Sequence, residues 1–291
     1  MSSGVAWAPG GIPVLRPGSL LEACTLRQAH PGYGLIVDGA GLLPAPGAGV
    51  HLPDGVIDLR GVPELADLAI SGPEVRLGAT TTFATLQREP DLLAGWPLLG
   101  QAAAARGADQ VRSQATLGGD LLYAAAAGDS LPPLAVYCAR VELRSRRGTR
   151  EVDLLDFYRK DGHDLAPDEL LAAVRLPRPQ PGTLQRFCKV GTGSAPAAAE
   201  LAVALTLTRD QGDGTFQAVH LASHPLGPGV LRLTASEHLL EGQPLTPELL
   251  DRVAAQVAEE VQSAADGGVG ARDRPGVAGE VVRRFLEELL P

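Results

Sequence analysis

The chain has 291 residues, 45% hydrophobic and 20% charged, with a formal net charge of −9. That length exceeds what a single core usually serves, so two or three domains are expected, and the composition excludes a disordered chain. The acidic balance argues against nucleic acid or an anionic membrane surface as partner, and no stretch approaches the ~20 apolar residues that span a bilayer.

Glycine (35) and proline (24) are both abundant, which predicts short elements and many turns. The N-terminus, MSSGVAWAPGGIPVL, lacks the basic residues and long apolar run of a signal peptide, so a cytoplasmic location is expected. Cys24, Cys138 and Cys188 lie far apart, in neither a metal-ligand spacing nor a disulfide framework. Each sits among apolar residues and reads as a small buried hydrophobe. With no cysteine cluster, the chain cannot by itself ligate an iron–sulfur centre.

In chain order, Ser19-Leu20-Leu21-Glu22 reads as a capping box opening a helix to about His30. Short strands follow at 34–37, 55–59 and 74–79. Phe83 to Leu93 and Pro97 to Arg106 read as helices, the second with proline at its first position. The double-glycine stretch 116–120 reads as a turn. Residues 138–145 and 169–177 read as strands, the latter stopped by Pro177. RPQPG at 178–182 is the strongest linker in the chain, and the main domain boundary is expected there. Beyond it, 199–210 and 216–224 read as an antiparallel pair. Thr246-Pro247-Glu248 then starts a helix with Leu250, Val253, Val257 and Val261 on one face. A last helix carries Val277, Val281, Val282, Phe285, Leu286 and Leu289. The order predicts an α+β protein.

Three turns stand out as places for chemistry: LIVDGAGL (35–42), GATTT (78–82) and TLGGD (116–120). Glycine removes the Cβ that blocks a ligand and lets main-chain amides point at a phosphate, so two such turns suit a diphosphate-bearing cofactor; tight turns made for packing read the same way. The phosphate-loop lysine pattern, GxGxxG and GxSxG are all missing. His220 and His224 lie four apart without the glutamate of a helical zinc motif, and read as surface or packing residues. Glu259-Glu260 and Glu287-Glu288 read as solvated helix faces.

With these turns placed, the chain resembles the FAD-binding medium subunit of the molybdenum hydroxylases, of carbon monoxide dehydrogenase and xanthine dehydrogenase type. The resemblance runs along nearly the whole chain. It is carried by DGAGL (38–42), GVIDLRGVPEL (55–65), LGATTTFATL (77–86), QVRSQATLGGDLLYAAAAGD (110–129), LLDFYRKDG (154–162), PDELLAAVRLP (167–177) and FCKV (187–190). It implies an FAD-binding domain of PCMH type in two subdomains, 1–61 and 62–177, then a smaller α+β C-terminal domain, 178–291.

It also implies the cofactor contacts. Leu35, Ile36, Val37, Asp38, Gly39, Ala40, Gly41 and Leu42 would form one diphosphate loop, and Thr116, Leu117, Gly118, Gly119 and Asp120 the other. Asp129 would meet the ribityl or flavin end, Leu171 the ring, and Lys189 would also lie at the cofactor. FAD would be held by this chain, with 2Fe-2S clusters and molybdopterin only on a small iron–sulfur and a large molybdopterin partner subunit. The role implied is electron transfer to an external acceptor, with no catalytic residue on this chain.

The departures are specific. Asp38 replaces a loop glycine, Ala40 a hydroxyl residue and Gly41 a frequent acid; Asp120 stands where asparagine is usual, and Thr192 or Gly193 near where an arginine is often found. A carboxylate ~5 Å from a phosphate charge costs roughly 3 kcal/mol at an effective dielectric of 20. Two other readings therefore stand beside the first: a flavin-free interaction subunit of the same fold, and a stand-alone flavin oxidase.

Overall fold

Ser19 starts the first helix, Leu20–Ala29, by accepting the Glu22 amide on its side chain at 3.2 Å. Glu22 reaches back to the amide of Gly18 (2.8 Å), one residue earlier than a capping box uses. This computed structural model describes residues 6–7, 11–38, 53–123, 128–159, 162–191, 199–224, 229–264 and 273–290. The helix crosses between strands Pro13–Leu15 and Gly34–Ile36, which both run parallel to Val56–Asp58; Ala6–Trp7 closes the small sheet.

The second sheet is antiparallel, in the order Leu68–Ser71, Glu74–Gly78, Leu170–Pro177, Arg140–Ser145, Gly148–Asp153. Leu170–Pro177 lies at its centre and is buried at every position except Arg175 and Pro177, as its near-continuous apolar run requires. Its register shifts between Leu171 and Ala173. That irregularity leaves the Ala172 carbonyl free to accept the Ala79 amide at 2.9 Å, tying the sheet to the 78–82 turn.

Two helix expectations change. The stretch from Phe83 to Leu93 is broken into Phe83–Arg88 and Pro90–Gly95. Pro90 has no amide to donate and forces Glu89 into extended backbone (φ −74, ψ 109). The double glycine lies inside a helix, Leu117–Tyr123, rather than in an open turn.

RPQPG joins Leu170–Pro177 to Leu184–Gly191, strands of different sheets. The third sheet runs Leu184–Gly191, Ala199–Arg209, Phe216–His224, Leu231–Arg232, antiparallel throughout. Along Ala199–Arg209 the faces alternate. Leu201, Val203, Leu205 and Leu207 enter one core with Val253, Val257, Val261, Val282 and Leu286 of helices Pro247–Ala264 and Arg274–Glu287. On the opposite face Ala204 joins the first core, built around Phe83, Trp96 and Phe157, and the Thr206 hydroxyl donates to the Val136 carbonyl (3.2 Å). Each fully buried large side chain contributes about 1.5–3 kcal/mol.

Glu260 departs from its expected solvated role. It accepts the amides of Ala235 and Ser236 (both 3.0 Å) and the Ser236 hydroxyl, so it caps helix Thr234–Leu240 from a neighbouring helix. Cys24 is buried, but Cys138 is exposed and Cys188 half-buried, so the uniform buried reading of the cysteines fails. Cys138 sits at positive φ (53°) just before strand Arg140–Ser145, which turns its thiol out to 3.7 Å from His220 Nε2. No helix among the described residues is long and apolar enough to cross a membrane.

Candidate functional site

Three of the turns singled out in the sequence meet at Thr116. Its hydroxyl donates to the Val37 carbonyl at 3.0 Å and accepts the Gly119 amide at 3.1 Å. A β-bridge joins Thr116 to Thr82, and the Leu117 amide donates to Thr81 (2.9 Å). Tyr123, at the far end of the helix, donates to the Leu35 carbonyl (2.6 Å). One threonine thus ties the 35–38, 78–82 and 116–120 segments together.

The glycines have a different local purpose from the one the turn reading implied. The Gly118 amide donates to the Ala79 carbonyl at 2.7 Å, and the Asp120 amide to the Thr116 carbonyl at 3.0 Å. With Leu117 and Gly119 counted, every amide from 117 to 120 donates within the chain. These four amides are thus committed within the chain in this structure. A Cβ on Gly118 would lie 2.7 Å from the Ala79 oxygen and 3.1 Å from Leu171 Cδ2. Bare backbone there lets the helix lean on the 78–82 turn, and brings Leu171 against it. A Cβ on Gly119 would fall 2.5 Å from Asp38 Cγ and closer still to its Oδ2. Asp38 is buried, and its carboxylate fills the space over Gly119.

Beside this junction lies a charge cluster. Asp120 is fully buried; its carboxylate pairs with Arg106 and accepts the Ser130 amide (3.1 Å) and hydroxyl (2.6 Å). Asp129 pairs with Lys189 at 2.8 Å and has Arg106 at 3.7 Å; Lys189 also donates to the Ala105 carbonyl (3.2 Å). Two acids and two bases balance, and Arg106 in addition lies 4.5 Å from the Phe83 ring centroid. Lys189 comes from the third sheet, so the cluster also ties the two parts of the chain.

Burial pushes the Asp129 carboxyl up, and Lys189 only partly offsets it. A carboxyl raised on folding weakens the fold when ionised, and that burden lifts as pH falls through its folded pKa. Lys189→Met removes the offset. It is expected to cost about 2–3 kcal/mol at neutral pH, and less towards acid pH, where Asp129 takes up a proton. Urea denaturation across pH checks this; a loss independent of pH would refute the pairing.

Of the expected contact residues, Leu35, Ile36, Val37, Asp38 and 116–120 are brought together; Asp129 and Lys189 join through Arg106, and Leu171 through Gly118. Gly39, Ala40, Gly41 and Leu42 lie outside the described residues, as do Thr192 and Gly193. Arg106 was missed, because one arginine just beyond the alanine-rich helix Pro97–Ala104 carries no sequence signal. Thr80 and Thr81 were also missed as contacts, although their turn had been singled out. Both are buried, and neither hydroxyl has a hydrogen-bond partner among the described residues.

His224 is a packing residue. Its Nδ1 donates to the Gly229 carbonyl (2.6 Å) and its Nε2 accepts the Gly128 amide (3.1 Å), while burial pushes its pKa down. No group of three or more metal-ligating side chains occurs among the described residues.

Residues 10–179 match the family described as the FAD binding domain in molybdopterin dehydrogenase. Residues 191–289 match the CO dehydrogenase flavoprotein C-terminal domain. The nicotine 6-hydroxylase medium subunit of Paenarthrobacter nicotinovorans is 29% identical over 282 residues, 95% of this chain and 98% of that protein. The carbon monoxide dehydrogenase medium chain of Afipia carboxidovorans is 27% identical over 291 residues, 96% of each. Among solved structures, a carbon monoxide dehydrogenase chain from Hydrogenophaga pseudoflava superposes with a TM-score of 0.83 at 27% identity, covering 94% of this chain and 95% of that one.

Proposed function

We propose that this chain, which belongs to the molybdopterin-dehydrogenase FAD-binding family, is the electron-transfer subunit of a molybdenum-containing oxidoreductase. It would pass electrons from iron–sulfur clusters on a partner chain to an external acceptor. The observation that carries this reading is the match of both family domains, in order, across nearly the whole chain. The names of the relatives, a medium subunit and a medium chain, support an assembly with further subunits; in this reading a small iron–sulfur and a large molybdopterin subunit would complete it.

FAD, when bound, accepts electrons singly and delivers them singly or in pairs. The chain's own task is to hold and orient it. The buried hydroxyls of Thr80 and Thr81, without a hydrogen-bond partner among the described residues, fit a hydrogen-bonding ligand beside the helix that starts at Leu117, since leaving them unpaired costs about 1–3 kcal/mol each. The 35–38 segment and Thr116 would form the walls; Leu171 would pack beneath, and Asp129 and Lys189 would meet the polar groups. The Asp38 carboxylate, packed over Gly119, stands against an anion there.

That carboxylate also favours the second reading, a flavin-free subunit of the same fold. Flavin released by denaturing the purified chain separates the two. About one FAD per chain, in the chain alone or after addition of its partner subunits, is expected from the family match. No flavin under either condition would transfer the role to the second reading.

A further inference from the structure

Asp38 lies two residues beyond strand Gly34–Ile36, and its carboxylate is packed against the backbone of Gly119. The fit depends on glycine: any side chain at 119 would overlap Asp38 Cγ and Oδ2. Asp38 is buried in this place, at 6% exposure, and so fills interior space rather than projecting into solvent. Its charge is felt by Arg60 and Tyr123 on either side. The amides of 117–120 are all committed within the chain, so the carboxylate is not there as a cap of that helix. It is a negative group seated where the 35–38 segment meets Gly119 of the 116–120 segment.

We propose that Asp38 is a built-in occupant of the anion position, which a dinucleotide's diphosphate must displace before it can sit between the two segments. This rests on the FAD reading above and deepens it, making position 38 the residue that sets how tightly this chain takes its cofactor. Two effects oppose the diphosphate: the volume of the side chain against Gly119, and the repulsion between like charges a few ångströms apart. They are separable. Asp38→Asn keeps the volume and removes the charge, whereas Asp38→Gly removes both.

The test is FAD titration into the purified full-length chain, followed by flavin fluorescence quenching, for wild type, Asp38→Asn and Asp38→Gly. ADP, which carries the diphosphate without the flavin, serves as competitor. Asp38→Gly is expected to bind FAD about a hundredfold more tightly than wild type, with Asp38→Asn between them. ADP should gain by the same factor, since the effect lies at the diphosphate. Equal affinity of wild type and Asp38→Gly would overturn the proposal and leave the FAD reading standing. Weaker binding by Asp38→Gly would overturn it too, and would make the carboxylate a ligand. Failure of all three proteins to bind FAD, with partner subunits present, would overturn the FAD reading and this proposal with it.

Discussion

Replacing Arg106 by leucine is expected to cost about 3–5 kcal/mol of folding stability, read from urea denaturation at neutral pH. Arg106 is the cationic partner of Asp120, which is fully buried, and it also lies 3.7 Å from Asp129. Without it, the Asp120 carboxylate keeps, among the described residues, the amide and hydroxyl of Ser130. Two neutral donors do not compensate an ionised group removed from water. The cation over the Phe83 ring is lost as well, a smaller contribution of about 0.5–2 kcal/mol. The double variant Arg106→Leu/Asp120→Leu discriminates: it removes both charges, so it should lose less than Arg106→Leu alone. A single variant losing under about 1 kcal/mol would show that Asp120 does not need this partner.

Gly119→Val is expected to abolish FAD retention, and in an otherwise unchanged chain to lower stability also. The stability loss has an identifiable source, because the new Cβ would overlap the Asp38 carboxylate and force that side chain out of its buried place. The flavin loss has another source: a branched side chain closes the approach to the backbone between the two segments. Combining the change with Asp38→Gly separates them. Stability should return towards wild type in Gly119→Val/Asp38→Gly, because the overlap is gone, while flavin remains absent. Thermal melts and flavin stoichiometry on the same preparations give both readouts. Full flavin content in the double variant would place the cofactor elsewhere.

Much of the architecture was legible in the residues. Ser19 and Glu22 announced the first helix, and Thr246-Pro247-Glu248 the long C-terminal one, because caps act within a few residues along the chain. The stretches 199–210 and 216–224 read as an antiparallel pair, as found; that Leu201, Val203, Leu205 and Leu207 face helices is seen only in the fold. Pro90 was the local signal overlooked, and it breaks the helix predicted from Phe83 to Leu93. The family could be read from ordered motifs, since these record which segments follow one another. Asp38 was noticed as a departure for the same reason.

What no stretch of sequence contained was the meaning of Gly118 and Gly119. Read locally, two adjacent glycines signal a turn with available amides. In the fold they belong to a helix, and they are bare because Ala79, Leu171 and Asp38 approach from segments 39 to 81 residues away. The pairing of Arg106 with Asp120, and of Asp129 with Lys189, is likewise set by which strands and helices pack together. Sequence alone determined the capped helices and the longer apolar strands, with their order, because propensity, capping and periodicity are short-range. Only the tertiary structure decided which charges meet and which backbone is covered, because desolvation and close packing depend on neighbours distant in the chain.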